Sequence, residues 1–227
     1  MPQTTARVRA DFDRIALLSE QHGWNHNNHY HDFLLRHIPR GCGEALDVGC
    51  GAGGFSRLLA GRCGRVLGLD LSPEMVRVAW EQSRAYPNVE YEVADVMEWA
   101  FPQDRFDCIV SIATLHHLPL SSMLLKMRAA LKVGGTMLVL DLYQALGVAD
   151  KVTCMLAVPA NLALRVTRGG GLREPPEVRQ AWEEHGRYDR YPTLDEVRRS
   201  CSEVIPGARV RRHLFWRYSI VWTKGSE

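Results

Sequence analysis

ALDVGCGAGGFSRLLA, residues 45–60, begins as a short apolar run ending at Asp47 and Val48. It passes through Gly49-Cys50-Gly51-Ala52-Gly53-Gly54 and resumes an apolar periodicity from Phe55. That order predicts a buried strand, a tight glycine turn and a helix start. Glycines in such a turn let a ligand lie against bare backbone. The first amides of the following helix lack intrahelical partners and favour an anionic group at the same place. The stretch therefore predicts a site for a nucleotide-like group.

Gly49, Gly51 and Gly54 fit G-x-G-x-x-G, so the glycines alone leave a dinucleotide-binding oxidoreductase open. Asp47 separates the readings, because it gives Asp47-x-Gly49-x-Gly51-x-Gly53. Here the chain resembles the class I S-adenosylmethionine (SAM)-dependent methyltransferases, whose first motif has this form.

Further acids stand where the resemblance needs them. Arg65 to Asp70 reads as a strand ending in an acid, and Ser72-Pro73-Glu74 opens a helix with a serine cap and proline at its first position. Asp70 lies 23 residues beyond Asp47, near the spacing at which an acid meets ribose hydroxyls in such folds. A carboxylate there accepts both hydroxyl protons. Val89 to Val93 is the next strand, followed by Asp95 and Val96, which the resemblance assigns to the adenine. Phe106 to Ser111 is another strand, and the segment Ile112 to Leu118 follows it at the switch point where open α/β sheets bind ligands. A helix from Leu120 to Leu131 leads to the strand Thr136 to Asp141. The matched run, Glu44 to Asp141, covers 98 of 227 residues.

The resemblance implies a Rossmann-like α/β fold: a seven-stranded mixed sheet, last strand antiparallel, sandwiched by helices. It implies cofactor contacts from Asp47, Gly49, Cys50, Gly51 and Gly53 in the first turn. Asp70, Leu71 and Met75 follow at the second strand, then Asp95, Val96, Ser111 and Ile112. SAM would be the cofactor and S-adenosylhomocysteine its product. Leu115-His116-His117-Leu118 resembles the type-11 small-molecule branch, where paired histidines are common. His116 and His117, with His29 behind them, are the expected catalytic residues if the acceptor needs a base.

Outside the core, residues 4–22 read as an amphipathic helix and His29 to Ile38 as a second, ended by Pro39. Residues 1–40 are expected to form a lid over residues 41–141, with Tyr30 and His29 touching the cofactor. His26, His29, His31 and His37 crowd this region, and a metal site or a polar capped turn are the other readings. No cysteine or carboxylate pattern accompanies them, and Asp141 has no downstream Asp-Asn pair to complete an oxygen site, so no metal is expected. Residues 142–192, with an apolar helix-like portion from Val148 to Arg165, are expected to form a helical cap. In residues 193–227, Thr193-Leu194-Asp195-Glu196 predicts a capping box. Leu214, Trp216, Tyr218, Ile220 and Trp222 alternate with Arg217 and Ser219, predicting a strand with one aromatic face buried.

Composition narrows the partners. Net charge is +2, and it divides as 14 − 16 = −2 over residues 1–141 and 14 − 10 = +4 over residues 142–227. No basic stripe with interleaved aromatics suggests nucleic acid. Ser111-Ile112-Ala113-Thr114 stands where methylases of exocyclic base amines carry Asn/Asp-Pro-Pro-Tyr, so a small-molecule acceptor is favoured over RNA or protein. A SAM-binding protein without transfer activity is the remaining alternative. Six cysteines without a C-x-x-C pair read as free thiols of a cytoplasmic protein. No targeting segment is expected, and no apolar run is long enough to span a membrane.

Overall fold

The computed structural model describes residues 4–18, 26–145 and 175–225. Seven strands form one sheet: β1 (Glu44–Val48), β2 (Arg65–Asp70), β3 (Val89–Val93), β4 (Phe106–Ile112), β5 (Leu131–Leu142), β6 (Arg209–Arg212) and β7 (Arg217–Thr223). Their order is β3-β2-β1-β4-β5-β7-β6. β1 to β5 run parallel, and β7 is antiparallel to both of its neighbours. The chain moves outward from β1 to β3, then returns to place β4 on the other side of β1. Ligands of such sheets bind beyond the strand ends at that reversal.

Helices cover both faces, so the parallel strands are apolar on both sides rather than alternating with polar residues. Leu46, Val48, Leu69, Ile109 and Val139 face one core, completed by Met123, Leu124 and Met127 of α5 (Leu120–Ala130). Ala45, Val66, Cys108, Val110 and Leu138 face the other, against Phe55 and Leu59 of α3 (Gly54–Ala60) and Val76 and Ala79 of α4 (Pro73–Gln82).

Helix signals in the sequence have direct counterparts. Ser72 Oγ accepts the Met75 amide at the start of α4, after which Pro73 takes the first position. The same hydroxyl donates to Asp13 Oδ1 at 2.5 Å, tying α1 (Thr5–Leu18) to the loop after β2. α1 also lies against α6 (Pro176–Gly186), where Arg14 pairs with Glu184. Thr193 and Glu196 form the expected capping box of α7 (Leu194–Val204).

Three expectations need correction. The second helix is shorter than His29–Ile38: a 3₁₀ turn over Asn28–Tyr30 leads into α2 (His31–Leu35). Beyond it the amides of His37 and Ile38 reach only three residues back, to Leu34 and Leu35, as Pro39 draws the chain out of helix. β7 is buried on both faces, Arg217 and Ser219 included: Tyr218, Ile220 and Trp222 face the core beneath α5, while Arg217 reaches Asn27 and Ser219 meets His213 on the other side. Trp216 is not part of that strand; it turns at φ +55° and is 37% exposed, whereas Trp222 is buried. The apolar portion expected from Val148 to Arg165 lies outside the described residues, as do residues 19–22 of the first predicted helix.

Candidate functional site

At the carboxyl ends of β1, β2 and β4 the chain encloses a cavity of about 630 Å³. The first turn builds its floor. Gly49 (φ +74°) turns the chain after β1, and its amide, with that of Cys50, donates to the Leu69 carbonyl. Gly53 (φ +72°) ends the turn against Tyr91, whose hydroxyl an added Cβ would meet at 2.2 Å. Asp47, Gly49, Cys50 and Gly51 all line the cavity.

Three carboxylates from successive strand ends share this wall. Asp47 is almost fully buried and accepts the Ser56 hydroxyl at 2.6 Å. Burial pushes its carboxyl up to about 7, against the effect of that hydrogen bond. Asp70 Oδ2 accepts the Gly51 amide at 2.8 Å and Oδ1 the Ser72 amide at 2.9 Å, which locks the glycine loop to the end of β2. Burial raises its pKa too, although both amides favour the charged form. Asp95 Oδ1 accepts the Met97 amide at 2.9 Å. Leu71, Met75, Val96 and Ile112 supply apolar wall beside these acids.

Other expected contacts lie off the cavity wall. Ser111 is fully buried, and its hydroxyl donates to the Val48 carbonyl, joining β4 to β1. Tyr30 is buried with its hydroxyl donated to the Leu214 carbonyl, and burial pushes its pKa up to about 12. His29 packs edge-on against Tyr30 and Phe215. From this region Asn27, Asn28 and His31 reach the cavity instead. His31 rests against Phe55, and burial pushes its pKa down to about 4. The four histidines do not converge: His26 stacks on Phe215, and His37 Nδ1 bonds the Phe33 carbonyl.

The paired histidines occupy a different neighbourhood. His117 lines the cavity, whereas His116 lies behind it with Nδ1 2.6 Å from Asp141 Oδ1. Burial, then the neighbouring His116 and His185, hold His117 neutral. Sequence reasoning missed Thr114, which stands beside Gly49, and a wall made by Thr5, Val8 and Phe12 of α1 and Trp182 of α6. Phe12 could have been flagged by the amphipathic pattern of α1; nothing in the sequence marked Trp182. No helix among the described residues is long and apolar enough to cross a membrane.

A glycine turn, acids at the ends of successive parallel strands and a cavity at the reversal of strand order define a Rossmann-like protein that binds a nucleoside-bearing ligand. Residues 45–135 match the family model described as a methyltransferase domain. An uncharacterized methyltransferase of Mycobacterium bovis is 30% identical over 203 residues, covering 88% of this chain and 96% of that protein. The 2-methyl-6-phytyl-1,4-hydroquinone methyltransferase of a Synechocystis species is 37% identical over 106 residues, 46% of this chain and 33% of its own length. Among solved structures, a phosphoethanolamine N-methyltransferase of Haemonchus contortus, in complex with S-adenosylhomocysteine, aligns with a TM-score of 0.64. The alignment covers 99% of this chain and 59% of that one at 18% identity, a likeness of fold. The chain belongs to the class I SAM-dependent methyltransferases, and SAM is its cofactor.

Proposed function

We propose that this enzyme methylates an oxygen, nitrogen or sulfur atom of a small molecule with an apolar or aromatic body, by in-line displacement at the SAM methyl group. The observation that carries this is the make-up of one cavity. Its glycine turn and the acids Asp47, Asp70 and Asp95 suit the cofactor, while Phe12, Trp182, Leu118 and Met97 offer an acceptor apolar surface. The similar hydroquinone methyltransferase is named for an acceptor of that character. The methylsulfonium is already activated, so the protein's task is to align the acceptor and exclude water. The test is production of S-adenosylhomocysteine with SAM and panels of quinols, phenols, amines and thiols. Turnover with one class is expected. Micromolar SAM binding with no turnover across all panels would replace this reading with that of a SAM-binding protein.

In this reading Asp70 holds the ribose, Asp95 and Val96 the adenine, and Asp47 faces the cationic portion of SAM. The last assignment has a pH signature. Burial holds the Asp47 carboxyl near 7, whereas a nearby cation favours the ionised form. Below pH 7 binding must therefore expel a proton, and SAM affinity should fall by up to about tenfold per pH unit. At pH 6 the calorimetric enthalpy should vary with the ionisation enthalpy of the buffer, and Asp47→Asn should abolish this variation. A proton release identical in Asp47→Asn rules out this placement of Asp47.

A further inference from the structure

We propose that His116, His117 and Asp189 form a binding site for a divalent transition-metal ion behind the part of the cavity wall that His117 lines, with His185 beside them as a further nitrogen donor. One ligand atom from each of the first three lies within 4.8 Å of the other two. The histidines stand after β4 and Asp189 follows α6, so the group joins segments more than seventy residues apart in the chain.

Distances around Asp189 set this group apart from an ordinary hydrogen-bonded network. His117 Nδ1 lies 3.5 Å from its Oδ1, and His185 Nε2 and His116 Nε2 lie 3.7 and 4.0 Å from its Oδ2. Imidazole–carboxylate hydrogen bonds fall near 2.7–3.2 Å, so three rings surround one carboxylate without closing on it. Metal bonds of about 2.0–2.2 Å in a tetrahedron hold adjacent ligand atoms roughly 3.3–3.5 Å apart. A bound ion would draw the ligand atoms, now within 4.8 Å of one another, together by up to about an ångström.

Burial supplies an independent observation. The Asp189 side chain is 3% exposed and that of His117 9%, yet Asp189 Oδ1, the oxygen nearest His117 Nδ1, has no hydrogen-bond partner. A buried carboxylate oxygen left in that state is costly, and a cation offsets the cost. The outer groups are also those of a metal site. His116 turns its other nitrogen, Nδ1, to Asp141 at 2.6 Å, and His185 turns Nδ1 to Asp11 at 3.1 Å. A carboxylate behind a ligating imidazole fixes its tautomer and orientation. Tyr191 donates its hydroxyl to Asp189 Oδ2 at 3.0 Å, orienting the carboxylate in the same way.

Imidazole and carboxylate together suit zinc, iron, manganese, cobalt or nickel rather than magnesium or calcium. The expectation of no metal weighed His26, His29, His31 and His37 and a downstream Asp-Asn partner for Asp141, and did not weigh His116, His117 and Asp189 together.

The site is tested on the tag-free full chain, stripped with chelator and titrated with Co²⁺ and Zn²⁺, with Mg²⁺ for comparison. One equivalent of Co²⁺ should bind at micromolar concentration or below, with the visible absorption of a nitrogen- and oxygen-ligated ion, and Mg²⁺ should not compete. Asp189→Asn should weaken binding at least a hundredfold, and Asp141→Asn, acting through His116, ten- to a hundredfold. SAM titration of each variant reports folding separately, and failure of SAM binding in the wild type would count against the cofactor reading alone. Absence of stoichiometric Co²⁺ or Zn²⁺ binding in the wild type would overturn the proposal. So would metal affinity unchanged in both variants, since the ion would then sit on other histidines.

Discussion

Asp70→Ala should weaken SAM binding by about 10- to 150-fold, or roughly 1.5–3 kcal/mol, the size of lost hydrogen bonds to a charged group. The side chain serves two partners. Its oxygens already receive the amides of Gly51 and Ser72, which hold the glycine loop against the end of β2. Each carboxylate oxygen has a second lone pair, so the ribose hydroxyls can be received without releasing either amide. Alanine removes both functions and strands the Gly51 amide. Asp70→Asn separates them: its carbonyl oxygen keeps one amide contact, while its NH₂ opposes the other amide and the charge is gone. Calorimetry with S-adenosylhomocysteine completes the measurement, because that ligand keeps the ribose and lacks the sulfonium. Losses of similar size for both ligands are expected. Unchanged affinity for both in Asp70→Ala would remove the ribose assignment, and a loss confined to SAM would reassign Asp70 to the cation.

The cofactor half of the cavity was legible because each of its parts is local. A strand, a turn and a helix start lie within the sixteen residues 45–60, and a single acid after an apolar run marks the end of β2. The antiparallel last strand followed from the resemblance, but its burial on both faces did not. Alternation along Tyr218, Ile220 and Trp222 describes one side only, and the other is covered by residues outside the strand, Asn27 against Arg217 and His213 against Ser219. The other half of the cavity was illegible for a similar reason. Phe12, His117 and Trp182 meet because α1 packs on α6, and Asp189 joins His116 only through tertiary packing. Isolated side chains brought together from three segments leave no spacing to read. Tyr30 and His29 were misplaced because the short 3₁₀ turn directs them toward Leu214 and Phe215, while Asn27, Asn28 and His31 reach the cavity.

Gly49→Ala should be far more destabilising than Gly51→Ala in the same turn, and the reason is contact as well as conformation. At φ +74° any L side chain is strained, by about 1–2 kcal/mol. The added Cβ would also stand 2.1 Å from Thr114 Oγ1 and 2.5 Å from its Cγ2, so β1 and the segment after β4 cannot both keep their places. Gly51 provides the comparison. It has φ +53°, but nothing lies within 4 Å of where its Cβ would be, so Gly51→Ala should incur only the conformational part. Denaturant midpoints should therefore fall modestly for Gly51→Ala and by several kcal/mol equivalent for Gly49→Ala. Gly51→Ala should still lose SAM affinity, because its methyl group enters the cavity the loop lines. Replacing the obstructing side chain isolates the steric part. Thr114→Gly combined with Gly49→Ala should recover the stability lost to the clash and leave the conformational strain, a coupling of 0.5–3 kcal/mol being typical of contacting residues, by rough rule. Additive losses in the double variant would show that Thr114 yields freely, and the destabilisation would then belong to the backbone of Gly49 alone.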